Sequence, residues 1–396
     1  MKLSEKVQSC GLSPMRKFHP FAVDAESCGK KIYRLNIGQP DIETPPEFFK
    51  AVQEYTQKVL AYAPSAGIPS LIEAIQAYYH RLGVNYSADD ILITAGGSEA
   101  LLITMLCILD EGSEVIVPEP FYPNYATFIK AAGGRITPLH TSPEENYNYA
   151  NKERLEALIN ENTRAILITN PNNPTGNSLS EKELRLITKV ARDHGLYLIC
   201  DEVYREFVYD SDKIFCAGKY RDIDNNIIII DSVSKRFSSC GARIGMMISR
   251  NHELMAQAMK FCQGRLCTAT LDQVGAAALY SVGPEYFKAV KDEYRRRRDV
   301  CYNKLSKIPG VVCAEPMGAF YMMAKLPIDN AELFQTWLLT DFEDKGETVM
   351  FSPGEGFYAT EGKGINEVRI AYVLNEQDLS RAMDLLALAI EQYNNR

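Results

Sequence analysis

Short apolar runs alternate with amphipathic segments through the middle of the chain, and this alternation is the strongest constraint on the fold. The run NIIIID carries four consecutive isoleucines, a pattern typical of a strand that is buried on both faces. Strands separated by helices predict βα crossovers and a mostly parallel sheet that is covered on both sides. Seven strands are predicted, at residues 90–95, 114–119, 134–139, 164–169, 196–201, 226–231 and 243–249.

The helix before the fifth predicted strand has a well-defined start. The segment SEKELRLITKVARDHG is amphipathic, and its Ser180 and Glu183 have the spacing of a capping box. Such a box satisfies backbone amides that the first helical turn would otherwise leave without partners.

The character of the chain changes near residue 285, where a long charged helix precedes two strand-like segments and a final amphipathic helix. With 396 residues, the chain is too long for a single small core. We therefore predict an α/β protein whose large domain spans residues 45–285. Residues 286–396 are predicted to form a smaller α+β domain, to which an N-terminal arm at residues 1–44 contributes.

Bulk composition restricts the possible partners and compartment. The net charge of −8 gives no support for binding to nucleic acid or to a membrane surface, and no run approaches the 18 apolar residues of a membrane span. The ten cysteines form no CxxC pair, which favours reduced thiols over a disulfide framework or a zinc site. We expect a cytoplasmic protein without a metal.

Two of the predicted strands end in loops that could face a ligand, since sites in open α/β sheets form beyond the carboxyl ends of strands. TAGGSEAL leads from a strand into a helix, so the amides near Gly97 and Ser98 could bind an anion, or could belong to a plain tight turn. PEPFYPNYATF presents Tyr122 and Tyr125, either as core residues or as an aromatic platform.

Two further junctions carry polar side chains. In TNPNNPTG, prolines stiffen the loop around Asn173, which suggests an amide held for a ligand, although a turn would also explain the pattern. Asp201 ends a buried strand and needs a cation or strong donors, because a buried unpaired carboxylate costs several kcal/mol. Its partner could be a helix amide, an ion pair or a cationic nitrogen of a cofactor, with Tyr204 one turn further on.

The segment SVSKRFSSCGARIG follows the isoleucine strand and places Lys235 among small residues. Lys235 could be a solvated lysine at a loop tip. Alternatively, a cofactor with an aldehyde and a phosphate would use the whole set: Arg243 and the hydroxyls of Ser232 and Ser234 for the phosphate, and the lysine for an imine.

A second arginine interrupts the apolar segment EVRIAYV near the end of the chain. Arg369 therefore needs an anionic partner, which could be a structural carboxylate or the carboxylate of a substrate held by the planar guanidinium.

With these motifs together, the chain resembles the aspartate aminotransferase family of pyridoxal 5′-phosphate (PLP) enzymes, the fold-type I class I and II aminotransferases. The resemblance extends from LNIGQPDIETPP to EVRIAYV, and AYAPSAGIPSLIEAI, PNNPTG, DEVY, SxSKxxxxxGxRxG and PMGAFY occur in the family's order. It implies the PLP-transferase fold, PLP as cofactor, and amino acids and 2-oxo acids as substrates.

The resemblance also implies a role for each matching residue. Lys235 matches the lysine that forms the Schiff base and moves the substrate proton, and Asp201 matches the partner of the pyridine nitrogen. Tyr204 and Asn173 match the donors to the cofactor's phenolic oxygen, and Tyr122 matches the aromatic residue that stacks on the ring. The residues that match the phosphate site are Gly97, Ser98, Ser232 and Arg243. Those that match the site of the substrate carboxylate are Gly38, Asn173 and Arg369. Tyr62 matches a tyrosine that reaches the phosphate of the neighbouring subunit, which implies a homodimer with shared sites.

One departure concerns specificity. Ala242 stands where some aspartate-branch relatives carry Trp, which puts an aspartate preference in doubt more than the chemistry. A second cation for a dicarboxylic substrate has no firm assignment, and Arg265 is a guess that could equally be a surface residue.

The favoured function is transfer of an amino group from an L-amino acid to a 2-oxo acid such as 2-oxoglutarate, with aspartate-type or broad specificity. A PLP-dependent β C–S lyase is the alternative. A non-catalytic PLP-binding regulator is a remote third possibility, because it would normally need a fused DNA-binding arm and the roughly 30 residues before LNIGQPD are too few for one. A nicotinamide dehydrogenase would need a dinucleotide fingerprint, and none follows any of the predicted strands.

Overall fold

The structure is a computed structural model that describes residues 1–209 and 216–396. Its strands are β1 (Lys31–Arg34), β2 (Ile91–Thr94), β3 (Glu114–Pro118), β4 (Arg135–Leu139), β5 (Thr163–Thr169), β6 (Tyr197–Asp201), β7 (Ile227–Ser232), β8 (Gly245–Ile248), β9 (Val312–Cys313), β10 (Tyr321–Lys325), β11 (Glu347–Met350), β12 (Ser352–Pro353) and β13 (Glu367–Ala371).

The α-helices lie between these strands and at both ends of the chain. They are α1 (Glu5–Gln8), α2 (His19–Ser27), α3 (Pro46–Gln53), α4 (Pro69–Arg81), α5 (Gly96–Ile108), α6 (Asn124–Ala131), α7 (Lys152–Glu156), α8 (Glu181–Asp193), α9 (Val233–Arg236), α10 (His252–Gly264), α11 (Thr270–Leu279), α12 (Pro284–Leu305), α13 (Ala331–Thr340) and α14 (Glu376–Asn394).

The large sheet has seven strands in the order β2-β8-β7-β6-β5-β3-β4. Only β8 runs antiparallel to its neighbours, β2 and β7, while the other pairs in the sheet are parallel. The predicted mostly parallel, seven-stranded sheet is therefore confirmed, and each predicted strand is present within two residues of its expected bounds.

The isoleucine strand β7 shows why the sheet needs cover on both faces. All six of its residues are buried. Ile229 packs into one apolar cluster, while Ile228 and Ile230 pack into another, because successive strand side chains point to opposite faces. The capping box predicted before α8 is also present: Ser180 N donates to Glu183 Oε2 at 2.8 Å, and Glu183 N donates to Ser180 Oγ at 3.3 Å.

A second body of structure is built around the four-stranded antiparallel sheet β12-β13-β10-β9, with its own apolar cluster that includes Phe320, Ile370 and Leu386. Strand β1 pairs in parallel with β11, so the N-terminal segment packs with the C-terminal part of the chain. The domain limits at residues 44/45 and 285/286 stay predictions, and the second of them falls in the first turn of α12.

Two further expectations concern the whole chain. All ten cysteines are free thiols. Within residues 1–209 and 216–396, no helix combines the length and apolar character needed to cross a bilayer.

Strands β2, β5, β6 and β7 run in the same direction, so their carboxyl ends meet at one edge of the large sheet. Strand β8 begins at this edge because it runs the opposite way. The loops that carry the candidate ligand-binding residues are thereby brought together.

Candidate active site

A cavity of about 290 Å³ lies at this edge, between the large sheet and the C-terminal body. Every residue predicted for the site except Tyr62 lines it. The lining includes Gly38, Gly97, Ser98, Tyr122, Asn173, Asp201, Tyr204, Ser232, Ser234, Lys235, Arg243 and Arg369.

Asp201 ends β6 with its carboxylate buried at the base of this cavity. Tyr125 Oη donates to its Oδ2 at 2.6 Å, and Val203 N donates to its Oδ1 at 3.3 Å. Burial raises the pKa of the Asp201 carboxyl to about 6, against the opposing effect of the Tyr125 hydrogen bond. Within the described parts of the chain no cation pairs with it, so a positively charged ligand atom would stabilise its ionised form.

Arg369 lies on β13 and is 1% exposed. Its Nη1 donates to Asn173 Oδ1 at 3.0 Å and its Nη2 donates to Asn36 O at 2.6 Å, but its buried Nε has no hydrogen-bond partner. Burial lowers the pKa of the guanidinium, and no carboxylate of residues 1–209 or 216–396 pairs with it. The structural ion pair considered from the sequence is therefore absent, and the side chain can receive an anion.

Lys235 lies in the four-residue helix α9, where Ser232 is the N-cap and its Oγ accepts from Ser234 N at 3.3 Å. Its Nζ donates to Gly38 O at 2.7 Å and lies 3.9 Å from Cys240 Sγ. The lysine is thus held inside the cavity rather than at a solvated loop tip. Residue 38 must be glycine here, because a Cβ would lie only 1.8 Å from the Tyr321 hydroxyl.

The amino end of α5 and Arg243 form one end of the cavity. The N-cap residue of α5, Ala95, makes no side-chain cap, so the first amides of the helix, including those of Gly97 and Ser98, point toward an open anion site. Arg243 packs over Gly96, where a Cβ would lie 2.2 Å from the guanidinium, and donates to Cys240 O at 2.9 Å.

Three tyrosines complete the wall. Tyr204 Oη lies 2.9 Å from Tyr321 Oη, and both rings are buried. Tyr122 is half-buried beside Tyr125, and burial raises the pKa of its hydroxyl to about 12. Burial also raises the pKa of the Tyr204 hydroxyl well above its ordinary value, so Tyr122 and Tyr204 are neutral at neutral pH.

A buried network of charges lies beneath the cavity and was not anticipated from the sequence. Arg236 Nη2 donates to both oxygens of Asp231 at 2.7 Å, and Arg205 Nη1 donates to Asp231 Oδ2 at 3.2 Å. Arg205 Nε also donates to Glu202 Oε2 at 2.8 Å. Two carboxylates and two guanidinium groups thereby link the turn that carries Asp201 to the turn that carries Lys235.

Three residues singled out in the sequence lie elsewhere. Tyr62 is 79% exposed and does not line the cavity. Arg265 donates to Glu99 Oε1 at 3.0 Å and to Ile93 O at 2.6 Å, outside the cavity, so the guess that it is the second cation gains no support. Ala242 packs against the apolar cluster of the large sheet and also does not line the cavity.

Several lining residues were given no site role from the sequence. Tyr125 was considered only as a core or platform residue of PEPFYPNYATF, and Tyr321 lies within PMGAFY; the need of Asp201 for a donor could have suggested the role of the first. Met15, Arg16 and Cys240 also line the cavity, and no sequence pattern indicated the first two. Within the described residues, no group of three or more His, Cys, Asp or Glu side chains could hold a metal ion.

Comparison with known proteins decides the family. Residues 30–386 match the sequence profile of the family "Aminotransferase class I and II". The chain belongs to this family. An aspartate aminotransferase of Pyrococcus horikoshii is 33% identical to this aminotransferase over 374 residues, 91% of each chain.

Solved structures agree in fold with this aminotransferase. A single-mutant form of the aspartate aminotransferase of Thermus thermophilus superposes with a TM-score of 0.90 at 27% identity, covering 98% of this chain and 100% of the other. An alanine aminotransferase of Pyrococcus furiosus also gives 0.90, at 29% identity and with 99% and 100% covered. The named substrates of these relatives differ.

The aminotransferase uses PLP, as its family does. The cavity offers what the cofactor requires: a lysine amine for the aldehyde, a buried carboxylate without a cation for the ring nitrogen, and a helix terminus with Arg243 for the phosphate. The donors present therefore fit the group.

Proposed function

We propose that this aminotransferase moves the amino group of an L-amino acid to a 2-oxo acid, with 2-oxoglutarate as an acceptor and aspartate-type or broad specificity for the donor. The observation that carries the proposal is the buried guanidinium of Arg369. It has no carboxylate partner in the described chain, and it lines the same cavity as Lys235 and Asp201. A substrate α-carboxylate would supply the missing anion.

Ten residues of this chain are proposed to hold the cofactor. Lys235 would bind its aldehyde carbon and Asp201 its ring nitrogen, while Tyr204 and Asn173 would donate to its phenolic oxygen. Arg243 and Ser232 would bind the phosphate with the α5 amides of Gly97 and Ser98 and the Ser234 hydroxyl, and Tyr122 would cover the ring face. Bound PLP supplies an electron sink for the pair of electrons that remains when a proton leaves the substrate α-carbon.

Lys235 Nζ is proposed to take that α-proton and return it to the cofactor carbon that receives the amino group. The carbonyl of Gly38, 2.7 Å away, holds the amine on the substrate side of the cavity.

Asp201 is proposed to keep the ring nitrogen protonated. Its carboxyl has a pKa raised to about 6 by burial, because the charged form lacks a cation. A protonated ring nitrogen would supply that positive charge and lower the pKa in return. The Tyr125 hydroxyl, which donates to Oδ2 at 2.6 Å, stabilises the same ionised form.

Arg369 is proposed to bind the substrate α-carboxylate together with Asn173 and the backbone at Gly38. Because Asn173 Oδ1 accepts from Arg369 Nη1 at 3.0 Å, the amide is oriented with its NH2 group free for the cofactor or substrate. The Nε atom, which has no partner, is available for a second hydrogen bond to the carboxylate.

We also propose that the protein works as a cytoplasmic homodimer with shared sites. Support comes from the exposed segment around Tyr62, in which Val59 is 73% and Leu60 61% exposed. A contiguous exposed apolar stretch such as Val59 and Leu60 beside Tyr62 is the kind of surface that marks a protein interface. In a dimer, Tyr62 would reach the phosphate in the partner's cavity.

The decisive experiment is a half-reaction panel. Purified holoenzyme is mixed with single L-amino acids, and the absorbance of the bound cofactor is followed for conversion to pyridoxamine phosphate, with the 2-oxo acid product measured by mass spectrometry. Lys235→Ala should lose both the conversion and the absorbance of the lysine-bound cofactor, while Lys17→Ala is a matched control outside the cavity. Release of pyruvate from a cysteine thioether without any such conversion would favour the C–S lyase instead.

A further inference from the structure

Glu119 is a buried charged residue to which the proposed mechanism gives no role. It follows β3 directly and is 1% exposed. Its Oε2 accepts from the backbone amides of Ala359 and Thr360 at 3.1 and 3.2 Å, and its Oε1 accepts from Thr360 Oγ1 at 2.8 Å. Its Oε1 also lies 2.6 Å from Nδ1 of His140. Four polar groups therefore surround the carboxylate and offset the loss of its hydration on burial.

Three of these four contacts connect the large sheet with the C-terminal body. Glu119 follows a strand of the large sheet, whereas Ala359 and Thr360 lie in the β12–β13 segment, residues 354–366, which joins two strands of the C-terminal sheet. The same segment makes a backbone contact with the loop after β3, since Phe121 N donates to Phe357 O at 2.8 Å. Glu119 and Phe121 together fasten the β12–β13 segment to that loop.

Each of the two fastened segments carries or contacts a residue of the cavity. The loop after β3 presents Tyr122, three residues beyond Glu119, to the cavity. In the β12–β13 segment, the ring of the buried Phe357 lies 4.9 Å from the Arg369 guanidinium. The position of this segment therefore affects the packing of the arginine that would bind the α-carboxylate. The position of the loop affects the ring that would cover the cofactor.

A second pair of contacts holds the far end of the β12–β13 segment. Tyr358 Oη donates to Glu367 Oε2 at 2.7 Å, and Tyr147, which follows β4 in the large-sheet part of the chain, donates to the same oxygen at 2.9 Å. Glu367 begins β13 two residues before Arg369. The strand that carries Arg369 is thus tied to the large-sheet part at its start, and the Glu119 contacts tie the segment that leads into it.

We propose that Glu119 is a positioning residue for this site, which fixes Tyr122 and Arg369 relative to each other. It lies outside the cavity lining, so it acts through the segments that it joins and not through contact with cofactor or substrate. Loss of the carboxylate would release the β12–β13 segment, and the Phe357 ring would then hold Arg369 less firmly. The inference rests on the proposed function, since it requires Arg369 to hold the α-carboxylate.

The test compares two buried carboxylates near opposite ends of the same strand. Glu119→Ala removes both oxygens that hold the β12–β13 segment. Glu114→Ala is the matched control, because Glu114 is also buried, at the first position of β3, but its hydrogen bonds come from the large-sheet part of the chain. Its donors are Arg135 Nε at 3.0 Å, Thr137 Oγ1 at 2.6 Å and Asn160 Nδ2 at 2.9 Å. Glu119→Gln keeps one oxygen that can accept from the two backbone amides, and it serves as the conservative variant.

Three properties of the PLP-loaded enzyme are measured. Hydrogen–deuterium exchange with mass spectrometry follows the amides of residues 355–362, and circular dichroism in the visible range follows the asymmetry of the bound cofactor. A stopped-flow half-reaction gives the dissociation constant and the maximum rate for whichever of L-aspartate and L-alanine is converted faster.

In Glu119→Ala, the amides of residues 355–362 should exchange about tenfold faster, because two of them lose their acceptor. The dissociation constant of the amino acid should rise about tenfold while the maximum rate changes less than about threefold, since the loss concerns binding of the α-carboxylate rather than proton transfer by Lys235. The dichroism of the bound cofactor should also change, because Tyr122 shifts relative to the ring. Glu119→Gln should recover part of each loss, and Glu114→Ala should leave all three properties within about twofold.

An unchanged dissociation constant in Glu119→Ala, or equal changes in Glu119→Ala and Glu114→Ala, would overturn the assignment of Glu119 while leaving transamination intact. If Glu119→Ala does not fold, Thr360→Val removes one donor to the carboxylate without changing the shape of the side chain, and should raise the dissociation constant about threefold. No rise in that variant would also overturn the assignment. If the unmodified enzyme converted no amino acid in the half-reaction panel, the proposed function would fail instead, so the two failures are distinguishable.

Discussion

Tyr125 donates a hydrogen bond of 2.6 Å to Oδ2 of Asp201, and both side chains are buried beneath the cavity. The phenol comes from the helix after β3 and the carboxylate from the end of β6. The Tyr125 hydroxyl is the nearest strong hydrogen-bond donor to the Asp201 carboxylate, whose burial disfavours the ionised form. The charge state of Asp201 thus depends on a residue 76 positions away in the chain.

Removal of that donor should move the pH dependence of the reaction. Tyr125→Phe is expected to raise the pKa of Asp201, because the hydrogen bond favours the charged form, and to lower kcat/KM at pH 7 about tenfold. The acid limb of the kcat/KM profile should shift to higher pH. Tyr149→Phe, which removes a buried hydroxyl outside the cavity, is the control, and an unshifted acid limb in Tyr125→Phe would contradict the expectation.

Asp201 should make the cofactor-free protein less stable at neutral pH than at mildly acidic pH. Its folded pKa of about 6 lies above the ordinary value of 3.8, so the folded state binds the proton more tightly than the unfolded state does. As the pH falls below 6, this group should add about 1.4 kcal/mol of stability per pH unit relative to Asp201→Asn. Denaturant unfolding of both proteins between pH 5 and pH 8 measures the difference, and a difference independent of pH would refute the shift.

Arg369→Lys should lower kcat/KM about a hundredfold for every amino acid substrate. Lysine keeps the charge but cannot form two parallel hydrogen bonds with the α-carboxylate. Steady-state kinetics with two donors of different side chain measure the loss. Arg265→Lys is the matched arginine control outside the cavity, expected to stay within about threefold of the parent. A loss confined to one donor would indicate that Arg369 binds a side chain instead.

Removal of one charge from the buried ion pair of Asp231 and Arg236 should lower the free energy of unfolding. Asp231→Asn leaves a buried guanidinium without its carboxylate and should reduce the free energy of unfolding by about 3–5 kcal/mol. The double variant Asp231→Asn/Arg236→Met should lose less than the sum of the two single variants, because it removes both charges. Additive losses in denaturant titrations would show that the two side chains are not coupled.

Much of the fold could be predicted because it depends on local pattern. The isoleucines of β7 alternate between two apolar clusters on opposite faces of the sheet, and an apolar run of this kind has few other solutions. The capping box of α8 involves residues three apart, so its geometry follows from their spacing. Once the strands were predicted, the positions of their ends were predicted as well. Most of the candidate site residues lie in the loops at these ends, and they therefore meet in one cavity.

Other features required contacts between distant parts of the chain. Arg369 lacks a carboxylate partner only because the residues that pack around it supply amide and carbonyl oxygens, which the local sequence EVRIAYV does not reveal. Nothing in the sequence indicates that the charged residues near two of the motifs pair with one another: Glu202, Arg205, Asp231 and Arg236. Only the adjacency of β6 and β7 in the sheet brings them into one network.

The sequence by itself determined the α/β class, the positions of the strands and helices along the chain, and the residue types that PLP chemistry requires. Periodicity and short motifs encode these features locally. The tertiary structure alone decided which of these charges is paired: it neutralised Arg265 with Glu99 and left the buried Arg369 without a carboxylate partner in the described chain. Pairing between charges depends on distances across the fold, which no local pattern of residues specifies.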